Sequence, residues 1–191
     1  MVPGRPTGVL ADVWGRSVVR DALLTLGAAG AVGLAAQIAI PVPGSPVPIT
    51  GQTFAVLLAG AMLGPGRAAA GMLLYAMAGA LGVPWFAGGT SGWPAATGGY
   101  LLGFVVAAAL VGQLAALGAD RRPGHTIGLM FIGNLLIYLV GVPWLALTTT
   151  MDMSTAFSKG LTPYLVGDAL KIALAAALLP GVWMLLNRRR G

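Results

Sequence analysis

Residues 162–179 read TPYLVGDALKIALAAALL. The run has the apolar character of a membrane-crossing helix, yet it carries an acid, Asp168, and a base, Lys171, three positions apart. Crossing the hydrocarbon takes about 20 apolar residues, each rising about 1.5 Å along the helix. An ionised side chain near the middle of such a helix costs roughly 2.5 kcal/mol or more. At i and i+3 the two side chains share one helix face and partly neutralise each other. Two readings follow. Either the pair satisfies itself and fixes packing, with the lysine reaching toward the interface, or it faces a ligand. Ionisable residues inside a membrane more often mark function.

The rest of the chain agrees with a membrane setting. Of 191 residues, 57% are hydrophobic and 8% charged, and the mean hydropathy is +0.86. A soluble domain carries charge on about a quarter of its residues. Breaks at charges and at Pro/Gly clusters leave six apolar runs, 22–40, 52–63, 67–83, 98–118, 126–148 and 162–186. The second and third are short and meet at Gly64-Pro65-Gly66, which predicts a tight hairpin. The expected fold is an all-α integral membrane protein with six transmembrane helices and one polytopic domain. Residues 1–21 form a cytoplasmic segment with an interfacial turn near Trp14, 22–186 the six-helix core, and 187–191 a basic tail. The amino terminus does not read as a cleavable signal, because Asp12 and Asp21 interrupt it and its apolar run continues to spanning length.

Charge sets the orientation. With the amino terminus inside, nine of the eleven Lys and Arg fall on the cytoplasmic side: Arg5, Arg16, Arg20, Arg67, Arg121, Arg122, Arg188, Arg189 and Arg190. Lys159 falls outside and Lys171 within a span. An even number of spans, with both termini cytoplasmic, preserves this asymmetry. The two long outer loops, PVPGSPVPITGQ (41–52) and PWFAGGTSGWPAATGG (84–99), carry no charge. Irregular backbone of this kind suits protein lining a cavity, which favours loops folded over an outward-facing pocket. The competing reading makes them interfacial loops anchored by Trp85 and Trp93.

Several chemistries are excluded. Cysteine and glutamate are absent, and the lone His125 lies beside Arg121 and Arg122, so metal clusters have no ligand set. No phosphate-binding GxxxxGK[ST] occurs, and GGTSGW lacks the GxSxG spacing of a serine hydrolase. An aspartyl dyad needs a second acid within the spans. Basic residues are not interleaved with aromatics, which argues against nucleic acid. Binding fits better: a carboxylate accepts and an ammonium donates hydrogen bonds. The pair suits a small ligand with N–H donors at one point and a carbonyl or carboxylate at another, and apolar walls suit its hydrocarbon body. Gln52, at the outer start of the second span, is a candidate for the site and equally for a helix start. Gln37, Gln113, Asn134 and Tyr138 read first as packing residues, with Tyr138 nearer the outer end than Asn134.

Three stretches carry a resemblance. QIAIPVPGSPVPITGQTFAVLLAGAMLGPGRAAAGMLLYAMAGALGVPWFAGGTSG (37–92), TGGYLLGF (97–104) and GDALKIALAA (167–176) resemble the BioY family. These are substrate-binding membrane subunits of biotin uptake systems of the energy-coupling-factor type. The resemblance implies a biotin site near the outer surface, covered by the loop between the first two helices. It matches Asp168 and Lys171 to the family's D-x-x-K, Tyr100 to the tyrosine of its GGY segment, and Thr90, or alternatively Ser91, to a ligand-contacting polar position. Trp85, Phe86 and Trp93 are candidates for the wall around the thioether ring. No cofactor is implied; ATP is hydrolysed by partner subunits. The partner is a transmembrane coupling protein with associated ATPases, docking through small residues of the first helix. Gly27, Ala31 and Ala35 supply such a face at i+4 spacing, which would serve intramolecular packing equally well.

The expected function is thus biotin binding for uptake at the plasma membrane. Its rivals are a subunit for another vitamin, an intramembrane enzyme using Asp168 and Lys171, and an assembly protein with a structural ion pair.

Overall fold

Ser17 opens the first helix by accepting the Arg20 backbone N–H at 3.2 Å, the usual role of an N-cap serine. The structure is a computed structural model and describes residues 8–15 and 17–188, apart from the side chains of Trp14 and Asn187. Arg5, Arg16, Arg189 and Arg190, counted above in the charge asymmetry, lie outside the described residues. Helix α1 (Val18–Ala36) starts earlier and ends sooner than the apolar run 22–40 suggests. The cause is the proline-rich stretch after Ile40, since prolines hold their neighbours extended. Ala39–Ile40 (β1) instead pairs antiparallel with Ile49–Thr50 (β2), Ala39 opposite Thr50 and Ile40 opposite Ile49. Residues 41–48 form the tip of this hairpin.

Helices α2 (Gln52–Leu63) and α3 (Pro65–Ala80) are joined by Gly64 alone. Its φ of 83° lies in the region that favours glycine, and Pro65 at the first helical position needs no N–H partner. The hinge is seated on α4 (Gly98–Ala116). A methyl group at Gly112 would come within 2.5 Å of the Gly64–Pro65 backbone, so only glycine permits this approach. Eleven of the 19 residues of α4 are buried, against five of 19 in α1. Helix α4 is the centre of the bundle and α1 its periphery.

A short turn leads to α5 (Pro123–Thr149). Then comes α6 (Met153–Gly160), where the sequence reading placed only an outer loop. Asp152 caps it, its carboxylate accepting the Thr155 N–H at 3.0 Å. A 3-10 turn, Thr162–Tyr164, precedes α7 (Leu165–Arg188). Among the described residues, four stretches are long and apolar enough to cross a membrane: Val18–Ala36, Gly98–Ala116, Pro123–Thr149 and Met153–Leu186. Helix α2 is apolar but shorter. Large apolar side chains such as Leu34, Phe131 and Val166 point outward, as they do where the solvent is lipid.

One end of the bundle gathers the described arginines of the charge count. Arg67 pairs with Asp12 and, at 3.4 Å, with Asp21. Arg20 donates to the Ala11 carbonyl, and Arg121 to the Gly8 carbonyl at 3.1 Å. The Arg121 guanidinium lies 4.5 Å from the centroid of the Trp183 ring, in cation–π range. Asp168 and Lys171 lie toward the other end.

A candidate ligand site under the hairpin

Asp168 is 4% exposed on the first turn of α7. Its Oδ2 accepts the Tyr138 hydroxyl from α5, and its Oδ1 accepts Lys171 Nζ at 3.2 Å. Lys171 also donates to Thr53 Oγ1 of α2 at 2.8 Å. Three helices therefore meet at one ion pair. Each partner retains capacity: a carboxylate offers about four lone-pair sites, and an ammonium three protons. Both residues line a cavity of about 620 Å3, counting its open mouth.

Aromatic and apolar side chains make the walls. Tyr100, at the start of α4, donates to the Gly160 carbonyl at 2.8 Å and stands edge-on to Tyr138, ring centroids 6.3 Å apart. Phe86 lines the cavity from the 84–97 loop. It is 4% exposed because its ring lies on Gly79, where any side chain would collide with it. Leu101, next to Tyr100, and Phe104, a turn further along, complete this side.

The roof is the hairpin tip. Val47 and Pro48 face the cavity, and Ser45 ties the tip down by donating to the Lys159 carbonyl of α6 at 2.9 Å. The Val47 N–H donates back to Ser45 Oγ at 3.1 Å, and the Tyr164 hydroxyl donates to the Val47 carbonyl at 2.5 Å. At the foot of the hairpin, Gln52 lines the cavity while bonding Tyr75 at 2.8 Å and accepting Thr50 Oγ1 at 3.0 Å. It is also the first residue of α2.

Of the residues nominated from sequence, Asp168, Lys171, Tyr100, Gln52 and Phe86 meet at this cavity. Three do not. Trp85 turns away and packs on Gly33 of α1, its Nε1–H donating to the Tyr75 carbonyl at 3.0 Å. Thr90 is exposed, its hydroxyl bonded to the Ala87 carbonyl at 3.1 Å within its own turn. Ser91 is exposed beside it. Trp93 is 45% exposed and stacks edge-on with Trp144, centroids 6.2 Å apart. Thr53, Ser45 and Tyr164 were not nominated, and Tyr138 was read first as packing. The antiparallel register of α5 on α7, which brings Tyr138 to Asp168, has no signal within either segment alone.

On α1 the buried residues are Ala28, Ala29, Val32, Gly33 and Ala36. Gly27 and Ala31 fall on the opposite face, exposed among the described residues. Ala35 is half-buried, and its carbonyl accepts the Gly51 N–H at 3.2 Å.

Fold and cavity define a class: an apolar helical bundle with a cavity roofed by a hairpin tip. The chain belongs to the BioY family, whose profile matches residues 8–188. It is 38% identical over 146 residues to a probable biotin transporter BioY of Pyrococcus horikoshii, covering 75% of this chain and 83% of that one. It is 36% identical over 157 residues to the biotin transporter BioY2 of Lactococcus lactis subsp. cremoris, covering 79% and 84%. Among solved structures, the S-component for biotin from an ECF-type ABC transporter superposes with a TM-score of 0.77. That match covers 89% of this chain and 95% of the other, at 20% identity, and speaks to the fold.

Proposed function

We propose that this protein is a biotin-binding membrane subunit that mediates uptake of the vitamin, and that it is not an enzyme. The observation that carries the reading is the Asp168–Lys171 pair, bridged to Tyr138 and Thr53 and opening on a largely apolar cavity. Biotin presents two ureido N–H donors, a carbonyl, an apolar thioether ring and a carboxylate. Asp168 can accept from N–H groups, and Lys171 can donate to an oxygen. The walls made by Tyr100, Phe86 and Phe104 suit the ring. The BioY relatives named for biotin support this choice of vitamin.

Uptake against a gradient requires energy, and the chain has no nucleotide-binding motif. We therefore assign ATP hydrolysis to partner subunits, coupled through a transmembrane protein that docks on the exposed Gly27 and Ala31 face of α1. The ECF-type S-component that shares the fold supports this. Six crossings of the plasma membrane, by α1 to α5 and α7, put both termini in the cytoplasm. The charge asymmetry and the joint position of Gly8 and Arg121 at one end support that topology.

Calorimetric titration of biotin into the purified, detergent-solubilised protein, with Asp168→Asn alongside, tests the function. Saturable binding is expected in the wild type, uncompeted by other vitamins, with biotin recovered unchanged. A folded wild type that takes up no biotin would refute the proposal.

A further inference from the structure

Directly beneath the candidate site lies a second, smaller void. Thr53, Phe54, Leu57, Met130, Asn134, Lys171 and Ile172 line it. It shares Thr53 and Lys171 with the cavity above. Asn134 is only 6% exposed, and its Oδ1 has no hydrogen-bond partner in the protein. An amide buried without a partner costs several times what an ordinary hydrogen bond contributes, and such a group in a folded protein calls for a physical account. The void supplies one. It has about 10 Å3 of room for the centre of a water molecule, close to the minimum that a single water needs, and polar groups on its wall.

The helix register makes the arrangement orderly. Asn134 and Tyr138 are one turn apart on α5, and Asp168 and Lys171 one turn apart on α7. The first rung between these helices is direct, Tyr138 to Asp168. The second sets Asn134 and Lys171 on the wall of the same void. Lys171 has committed two of its three protons, to Thr53 and Asp168.

We infer that one ordered water in this void bridges the Asn134 carboxamide to the Lys171 ammonium, making Asn134 a positioning residue for the ligand-binding lysine. In the unliganded protein the water accepts the third lysine proton and donates to Asn134 Oδ1, and a bound ligand oxygen takes the proton otherwise given to Thr53. Lys171 is thereby held from three sides, so its ammonium stays at the floor of the cavity instead of extending toward the lipid interface. The effect on ligand affinity rests on the biotin reading; the water itself does not.

Two measurements test the inference separately. A crystal structure of the intact protein, at a resolution that shows ordered water, should place one water within hydrogen-bonding distance of both Asn134 Oδ1 and Lys171 Nζ. Biotin titrations form the second arm. Asn134→Leu should weaken binding by roughly tenfold in the wild type and leave it unchanged in a Lys171→Met background, because its effect passes through the lysine. Asn134→Thr, which keeps a hydroxyl at the void, should hold affinity within about threefold of wild type and serves if the leucine variant does not fold. A void without water, with the Asn134 amide bonded directly to protein, would overturn the inference. So would equal weakening by Asn134→Leu in both backgrounds, or no weakening at all. If the wild type itself fails to bind biotin, the functional proposal falls, and the water stands or falls on the crystal structure.

Discussion

Two aspartates of this chain are buried at opposite ends of the bundle, and they differ in what surrounds them. Asp168 is 4% exposed and Asp120, in the turn between α4 and α5, is 0% exposed. Each accepts one hydrogen bond from an aromatic side chain: the Tyr138 hydroxyl for Asp168, and the Trp183 indole N–H, at 2.6 Å, for Asp120. Asp168 has a lysine at 3.2 Å and a cavity beside it. Asp120 makes no ion pair within 4 Å among the described residues, and its Oδ1 has no hydrogen-bond partner. Burial therefore raises the Asp120 carboxyl above the ordinary carboxylate range. The Trp183 bond, its own backbone N–H and the nearby Arg121 charge pull the other way without reversing the shift. A buried acid is a binding group when its remaining valences open on a cavity. When they open on packed protein, it is a fastening.

The sharpest break of this comparison is by charge removal. Lys171→Met is expected to weaken biotin binding by roughly 30-fold or more, about 2 kcal/mol, because it leaves the Asp168 carboxylate without its cation. Asp120→Asn should leave the same affinity within about threefold. Calorimetric titration of both variants decides it, and equal losses would mean that the outer pair is as structural as the inner acid.

Next come the aromatic donors. Trp183→Phe removes the side-chain donor of Asp120 and should lower stability by about 1–3 kcal/mol, read as a fall in Tm in detergent. Tyr138→Phe should cost less, since Asp168 keeps Lys171. A larger loss for Tyr138→Phe would reverse the assignment of fastening and binding group.

The smallest effect concerns pH. An unfolded aspartate titrates near about pH 3.9, and the folded Asp120 is raised above that. Its contribution is fully present below the unfolded value and is lost as pH rises through the folded one. The wild type should therefore lose stability relative to Asp120→Asn as pH climbs from about 4 toward neutrality. Thermal unfolding of both proteins across that range checks the sign, and a gap that widens in favour of the wild type would contradict it.

Much of this was legible in the sequence, and what was not has a physical reason. The BioY resemblance is borne out by the family match over residues 8–188. Helix starts and stops near Gln52, Gly64 and Gly98 could be read because proline, glycine and capping residues act locally. The end of α1 was misjudged because Ile38 to Ile40 are as apolar as the helix before them. Only the prolines that follow mark the change. Helix α6 was missed although Asp152 and Lys159 bracket it in the order that helix ends prefer. Eight residues are too few for an apolar period to stand out. At the cavity, Asp168 and Lys171 announced themselves by their cost in an apolar run. Tyr138, Thr53 and Tyr164 did not, because a tyrosine or threonine is unremarkable until a partner helix sets its register. Trp85 and Phe86 are adjacent and alike in type, yet Phe86 faces the cavity and Trp85 faces α1. Composition does not separate two neighbours that point in opposite directions.

The pairing of Asp168 with Lys171 also has an electrical consequence. Moving one elementary charge through a membrane potential of 100 mV takes about 2.3 kcal/mol. The pair's opposite charges, 3.2 Å apart, sum to zero. Any displacement of the pair along the field then does almost no electrical work. An unpaired lysine in the same place would tie every such movement to the state of charge of the membrane.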